Sequence, residues 1–338
     1  MNKIWKRILS AVMALAMVLT VMSVSAFAAQ KVKHYDAVTT LGDSISDGFS
    51  MPDYMKQANG KFVINKIRVE GSYADLVTKA VGAKRFHPLA QCGYRTVELR
   101  MALDPSYKGD VTARRWQARL SNAPEYTYQY LTSQYPEYEA ALKDSDLVLL
   151  DIGYNDTWLT VLGAVVNAIE ETPNTESNME TLDDAIQNLG SLQNVVKWAA
   201  FKLQQTPGYI NDITTALKNE VTCDEFKENY DVIVKKIFAI NPKTTVVALS
   251  TYNPFKDWND VTWLAPLVQS VVYDKINAAK ESYTKTYGSQ YIYVTDFDVG
   301  VRTTSAQSIL NDGGWDPHPT AEGHQYIANQ IINALPKA

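Results

Sequence analysis

The chain has 338 residues, a net charge of −5, 46% hydrophobic residues and only two cysteines, Cys92 and Cys223. That acidity speaks against a charge-driven nucleic-acid binder, which needs clustered basic groups to displace counterions. Two cysteines are too few for a disulfide framework, and no cysteine–histidine cluster has the spacing of a zinc site.

Residues 1–28 have the build of a secretory signal peptide. Lys3, Lys6 and Arg7 precede an apolar run, and Ala26-Phe27-Ala28 supplies small residues for cleavage. An uncleaved anchor is the alternative, but no stop-transfer pattern follows. No other segment is apolar for long enough to span a bilayer. The expectation is a secreted protein with no stable membrane insertion after cleavage, and one domain over residues 29–338. Outside the cell a Cys92–Cys223 bridge is permitted, against two separate buried thiols.

Strand-like and helical stretches then alternate. DAVTTLGDS at 36–44 reads as a short strand ending at a glycine, and SYADLVTKAVGA at 72–83 as a helix with Ser72 as its cap. KRFHPLAQCG at 84–93 fits an edge strand, where Pro88 is best tolerated. SDLVLLDIG at 145–153, TTVVALSTYN at 244–253 and YIYVTDFD at 291–298 are continuous apolar runs, as in strands buried on both faces. Helical patterns at 231–240 and 268–286 lie between the later strands. Five strands alternating with helices imply an α/β fold with a mostly parallel sheet and right-handed crossovers. Residues 157–229 are helical in pattern without a strand, and read as an insertion after the third strand. Extra packing on the sheet and a cap over an apolar part of a substrate are both open readings of it.

Polar residues gather where strands end, as sites do in such sheets. LGDSISDGFS (41–50) holds Ser44 between Gly42 and Gly48; Gly93 follows the edge strand; GYND (153–156) follows the third. A serine nucleophile needs a base and donors for the oxyanion. There are four histidines. His34 reads as surface, His87 as structural, and His324 lies inside the last helix. His318, in the loop entering that helix, is the best-placed base. Asp43 reads as a cap on the helix after the first strand. The sequence has no Gly-x-Ser-x-Gly elbow, no His-Glu-x-x-His and no dinucleotide or nucleotide loop.

GDSIS at 42–46, Gly93, GYND at 153–156 and His318-Pro319, in that order, resemble the SGNH, or GDSL-type, hydrolase superfamily. The resemblance runs through nearly all of the chain after the leader. It implies a three-layer, flavodoxin-like fold and a serine esterase or lipase needing no metal or organic cofactor. It further implies Ser44 as nucleophile, His318 as base, and an oxyanion hole from the Ser44 and Gly93 N–H groups and the Asn155 amide. The family commonly has an aspartate three residues before the histidine. Trp315 stands there in this chain, so Asp316, or alternatively the Trp315 carbonyl, is expected to orient the imidazole. The expected substrate is a small-molecule, lipid or acetylated-carbohydrate ester, and the protein is expected to be monomeric. The rival readings are a non-catalytic extracellular carbohydrate- or surface-binding protein that retains the fold, and an acyltransferase using the same residues.

Overall fold

Strands β1 (Ala37–Gly42) and β2 (Arg85–Pro88) frame a first stretch that contains three short helices, α1 (Ser44–Asp47), α2 (Pro52–Gln57) and α3 (Tyr73–Ala80). In this computed structural model the described residues are 31–49, 51–57, 66–109, 126–169, 178–190, 192–206, 208–220, 223–256, 262–295 and 318–338. The expected leader at 1–28 falls outside them, as do Trp315 and Asp316.

After β2 come α4 (Thr96–Leu103), α5 (Tyr128–Ser133) and α6 (Tyr135–Asp144), then β3 (Leu147–Asp151). Helices α7 (Tyr154–Ile169), α8 (Asn178–Leu189), α9 (Leu192–Gln205), α10 (Tyr209–Glu220) and α11 (Asp224–Ile240) separate β3 from β4 (Thr245–Leu249). A short 3-10 turn, Pro254–Lys256, precedes α12 (Leu264–Val268), which runs through a π-helical turn at Gln269–Tyr273 into α13 (Asp274–Tyr287). Strand β5 (Tyr291–Val294) and α14 (Ala321–Ala334) complete the described chain.

The sheet order is β2-β1-β3-β4-β5, and every pairing is parallel. The three central strands are buried along their whole length, whereas β2 at one edge is half-exposed. This is why β1, β3 and β4 read as unbroken apolar runs, and why Pro88 is accommodated in β2. Parallel strands need crossovers, and right-handed ones put successive helices on defined faces. Helix α3 packs on α14 over one face, while α11 packs on α4, α6 and α13. The result is the α/β arrangement on a parallel sheet expected from the alternation, in the three layers that the resemblance implies.

Two boundaries move. The helical insertion expected at 157–229 starts within α7, which already begins at Tyr154, and its last residues belong to α11, the crossover into β4. The added elements are therefore α7 to α10. They are tied into the main core, because Leu159, Val166, Val195 and Ile213 are fully buried within it.

The two cysteines are not joined in a disulfide. Cys92 Sγ lies 3.2 Å from Asp47 Oδ2 and 3.3 Å from the Tyr54 hydroxyl, while Cys223 Sγ faces the Val271 carbonyl at 3.9 Å. Of the two open readings, the structure has the separate thiols, each held in a different part of the fold.

Candidate active site

The turn out of β1 is shaped by a close approach of backbones. A β-carbon on Gly42 would sit 2.1 Å from the Asp151 carbonyl oxygen and 2.4 Å from Ser46 Oγ, so only glycine fits. Asp43 then caps α1, its carboxylate accepting the Ile45 N–H at 3.0 Å, as its position before the helix suggests. Ser44 is the first residue of that helix and is nearly buried, so its N–H has no intrahelical acceptor. Gly48, at φ +75°, closes the turn.

His318 enters from the loop before α14, and its Nε2 lies 2.8 Å from Ser44 Oγ. The two residues are 274 apart in sequence. The imidazole packs against Phe49, with ring centroids 4.6 Å apart. The other histidines are occupied elsewhere. His34 bonds Asp36 and the Val81 carbonyl, and His87 bonds Asp144 at 2.8 Å. His324 is fully buried with Nδ1 accepting the Tyr73 N–H at 3.3 Å, and burial, reinforced by nearby His318, pushes its pKa down to about 3. It is a neutral strut holding α14 against α3.

Gly93 (φ +77°) comes from the loop after β2 and Asn155 from the first turn of α7, just after β3, and these two segments are fastened together. Asn155 Nδ2 donates to the Tyr94 carbonyl at 2.9 Å, which leaves the second amide proton for another acceptor. Trp158 Nε1 points at Asn155 Oδ1 at 3.4 Å. The Asp156 carboxylate accepts the Thr96 N–H and hydroxyl, capping α4 from across the sheet. Among the described residues no backbone acceptor takes the Gly93 N–H. Tyr94 and Arg95, which follow Gly93, are buried. Tyr94 packs edge-on to Tyr126 at 5.0 Å, and Arg95 is paired with Glu98 at 2.7 Å.

Beneath these loops lies a set of buried charges that the sequence reading does not include. Lys280 of α13 is fully buried and donates to the Leu249 carbonyl at 2.9 Å and Thr251 Oγ1 at 2.7 Å. Burial lowers its pKa to about 8, against the attraction of Asp151, Asp43 and Asp156. Burial raises Asp151 to about 6, opposed by Lys280, and raises Asp156 to about 6, opposed by its bonds from Thr96. Asp43 is raised too, by burial first and then by the charge of Asp151. One signal for Lys280 is present in the sequence: it stands four residues after Ile276, on the same buried helix face.

Among the described residues no group of three or more His, Cys, Asp or Glu is placed to hold a metal ion, and no helix is long and apolar enough to cross a membrane. The arrangement offers a hydroxyl in contact with an imidazole, beside backbone and amide donors from two further strand ends.

Residues 40–326 match the model of the GDSL-like Lipase/Acylhydrolase family. The chain belongs to that family. A comparison with curated protein sequences finds no match. Among solved structures, the chain is similar to phospholipase A1 from Streptomyces albidoflavus NA297, at 14% identity and TM-score 0.45, over 89% of this chain and 99% of that one. It is also similar to an extracellular lipase from Streptomyces rimosus, at 17% identity and TM-score 0.47, over 88% and 99%. A carbohydrate esterase family 2 enzyme from Corynascus thermopiles matches at 13% identity and TM-score 0.38, over 88% of this chain and 65% of that one.

Proposed function

We propose that this chain is a secreted serine esterase that hydrolyses carboxylic esters through an acyl-enzyme on Ser44. The observation that supports this most is the 2.8 Å contact between His318 Nε2 and Ser44 Oγ. Serine is a weak nucleophile at neutral pH and gains strength from a base within hydrogen-bond reach. In the proposed reaction Ser44 Oγ attacks the ester carbonyl as its proton passes to His318 Nε2. The carbonyl oxygen, now negative, takes bonds from the Ser44 N–H, the Gly93 N–H and the second Asn155 amide proton. His318 then protonates the leaving alcohol, and a water deprotonated by the same nitrogen releases the acid. Asp316, or the Trp315 carbonyl, holds the other ring nitrogen; such a group fixes tautomer and orientation. The substrate is a lipid acyl or acetylated-carbohydrate ester, and the protein works as a monomer without a cofactor.

The test is turnover of p-nitrophenyl acetate and butyrate by the protein beside Ser44→Ala and His318→Ala, with a fluorophosphonate probe as active-site label. Turnover and labelling that vanish in Ser44→Ala are the expected result. Turnover that survives Ser44→Ala, or a probe that labels another residue, would overturn the proposal.

A further inference from the structure

Helix α7 starts at the Asn155 turn and runs away from it, presenting Trp158, Leu162 and Val165 to a cleft. The facing wall comes from α9, with Ala199 and Leu203, and Phe255 of the 3-10 turn closes one side. About 430 Å³ in and above the cleft is free of protein atoms, the open solvent at its mouth included, and every lining side chain is apolar. It adjoins the candidate site at one residue: Trp158 lines the cleft while its Nε1 points at Asn155 Oδ1.

We infer that this cleft takes the acyl chain of the ester substrate, and that chains of about eight to twelve carbons fill it. The inference rests on the reading of Ser44 and Asn155 given above and names the substrate within it. A sugar is disfavoured by the walls, since each hydroxyl entering them would lose its hydrogen bonds to water without replacement. A hydrocarbon has no such groups and gains from burial of each methylene. The length follows from the helix that forms the wall. Rising about 1.5 Å per residue, α7 covers about 10 Å from Trp158 to Val165 and about 15 Å from Asn155. An extended alkyl chain of C–C bonds near 1.5 Å advances about 1.3 Å per carbon, so these spans correspond to about eight and twelve carbons. The inserted helices thereby act as a ruler, and the second of the two open readings of the insertion is the one the cleft favours.

The experiment is a series of p-nitrophenyl esters from acetate to palmitate on the full chain and on two variants of the cleft wall. With the unchanged protein, kcat/KM should climb by up to about fourfold per added methylene, peak between octanoate and dodecanoate, and fall for palmitate. Val165→Trp fills the far end and should lower the decanoate-to-acetate ratio of kcat/KM at least tenfold. Val165→Ala lengthens the cleft and should move the peak toward longer chains. As a readout that needs no turnover, Ser44→Ala protein is titrated with dodecanoate by calorimetry, alone and combined with Val165→Trp. Saturable binding that the tryptophan weakens at least tenfold is expected. A profile highest at acetate, or a peak that neither Val165 variant moves, would overturn the inference while leaving Ser44-dependent esterase activity intact. Loss of the esterase reading itself shows separately, as acetate turnover that is indifferent to Ser44→Ala.

Discussion

Lys280→Met removes the buried cation under the site while keeping most of the side-chain volume. Removing one partner of a buried hydrogen bond typically costs about 1–3 kcal/mol, more where a charge is involved, because the remaining groups stay buried without compensation. Here those groups are the Leu249 carbonyl and Thr251 hydroxyl, with Asp43 and Asp151 close by. The pH dependence is the sharper quantity. The folded-state pKa of Lys280 is about 8, below the 10.5 of a free lysine, so the unfolded chain holds this proton across the interval between them. The burial penalty on the ammonium is fully present below about pH 8, and stability rises as the pH climbs through that interval. The slope is about 1.4 kcal/mol per pH unit, which gives about 2 kcal/mol between pH 8 and 9.5. The methionine variant lacks this gain. Its Asp43, already raised by burial, loses an attracting charge, and an acid with a raised pKa costs stability as pH rises, which widens the gap further. Urea titrations followed by tryptophan fluorescence at pH 7 and 9.5 measure both proteins. The stability difference should widen by about 2 kcal/mol or more at the higher pH. A difference that stays constant or narrows would refute the assignment of Lys280 as a buried ammonium.

Asn155→Ala should lower kcat for a short-chain ester by about a hundredfold to a thousandfold, the usual effect of removing one oxyanion donor. KM should change far less, and a raised KM with kcat unchanged would point to lost ground-state binding instead. For the cysteines, non-reducing and reducing electrophoresis should give the same mobility, and Ellman's reagent should find two thiols in denaturant. Cys92 should resist the reagent in the native protein, since it is buried and its thiol pKa is raised well above the ordinary value, first by that burial.

The parts of this protein that are legible in the sequence are those with a local cause. β3 and β4 are buried on both faces, so LVLLD and TVVAL carry no polar interruption. The Gly42-Asp43-Ser44 turn is legible because a close approach and a helix cap each demand particular residue types. His318 is found because it enters the last helix after the last strand. The Asp156–Thr96 clamp is hidden for the opposite reason. Its members are 60 residues apart, and beside the Asn155 turn Asp156 reads as a local cap when it caps a helix on another loop. Lys280 is hidden because a lysine in DKINAAKESYTKTY suits an exposed helix face equally well. The fate of the two cysteines likewise depends on distances that no spacing encodes.

The 274-residue separation between Ser44 and His318 sets the order of events in the life of the molecule. The hydroxyl sits on the turn that leaves the first strand, but its imidazole arrives only when α14 docks on α3, held there by His324 and Tyr73. A chain still lacking its final segment contains all five strands but not the Ser44–His318 contact. Contacts between such distant parts tend to form late, since they close a very long loop. On the proposed mechanism, turnover is therefore a report on the completed fold.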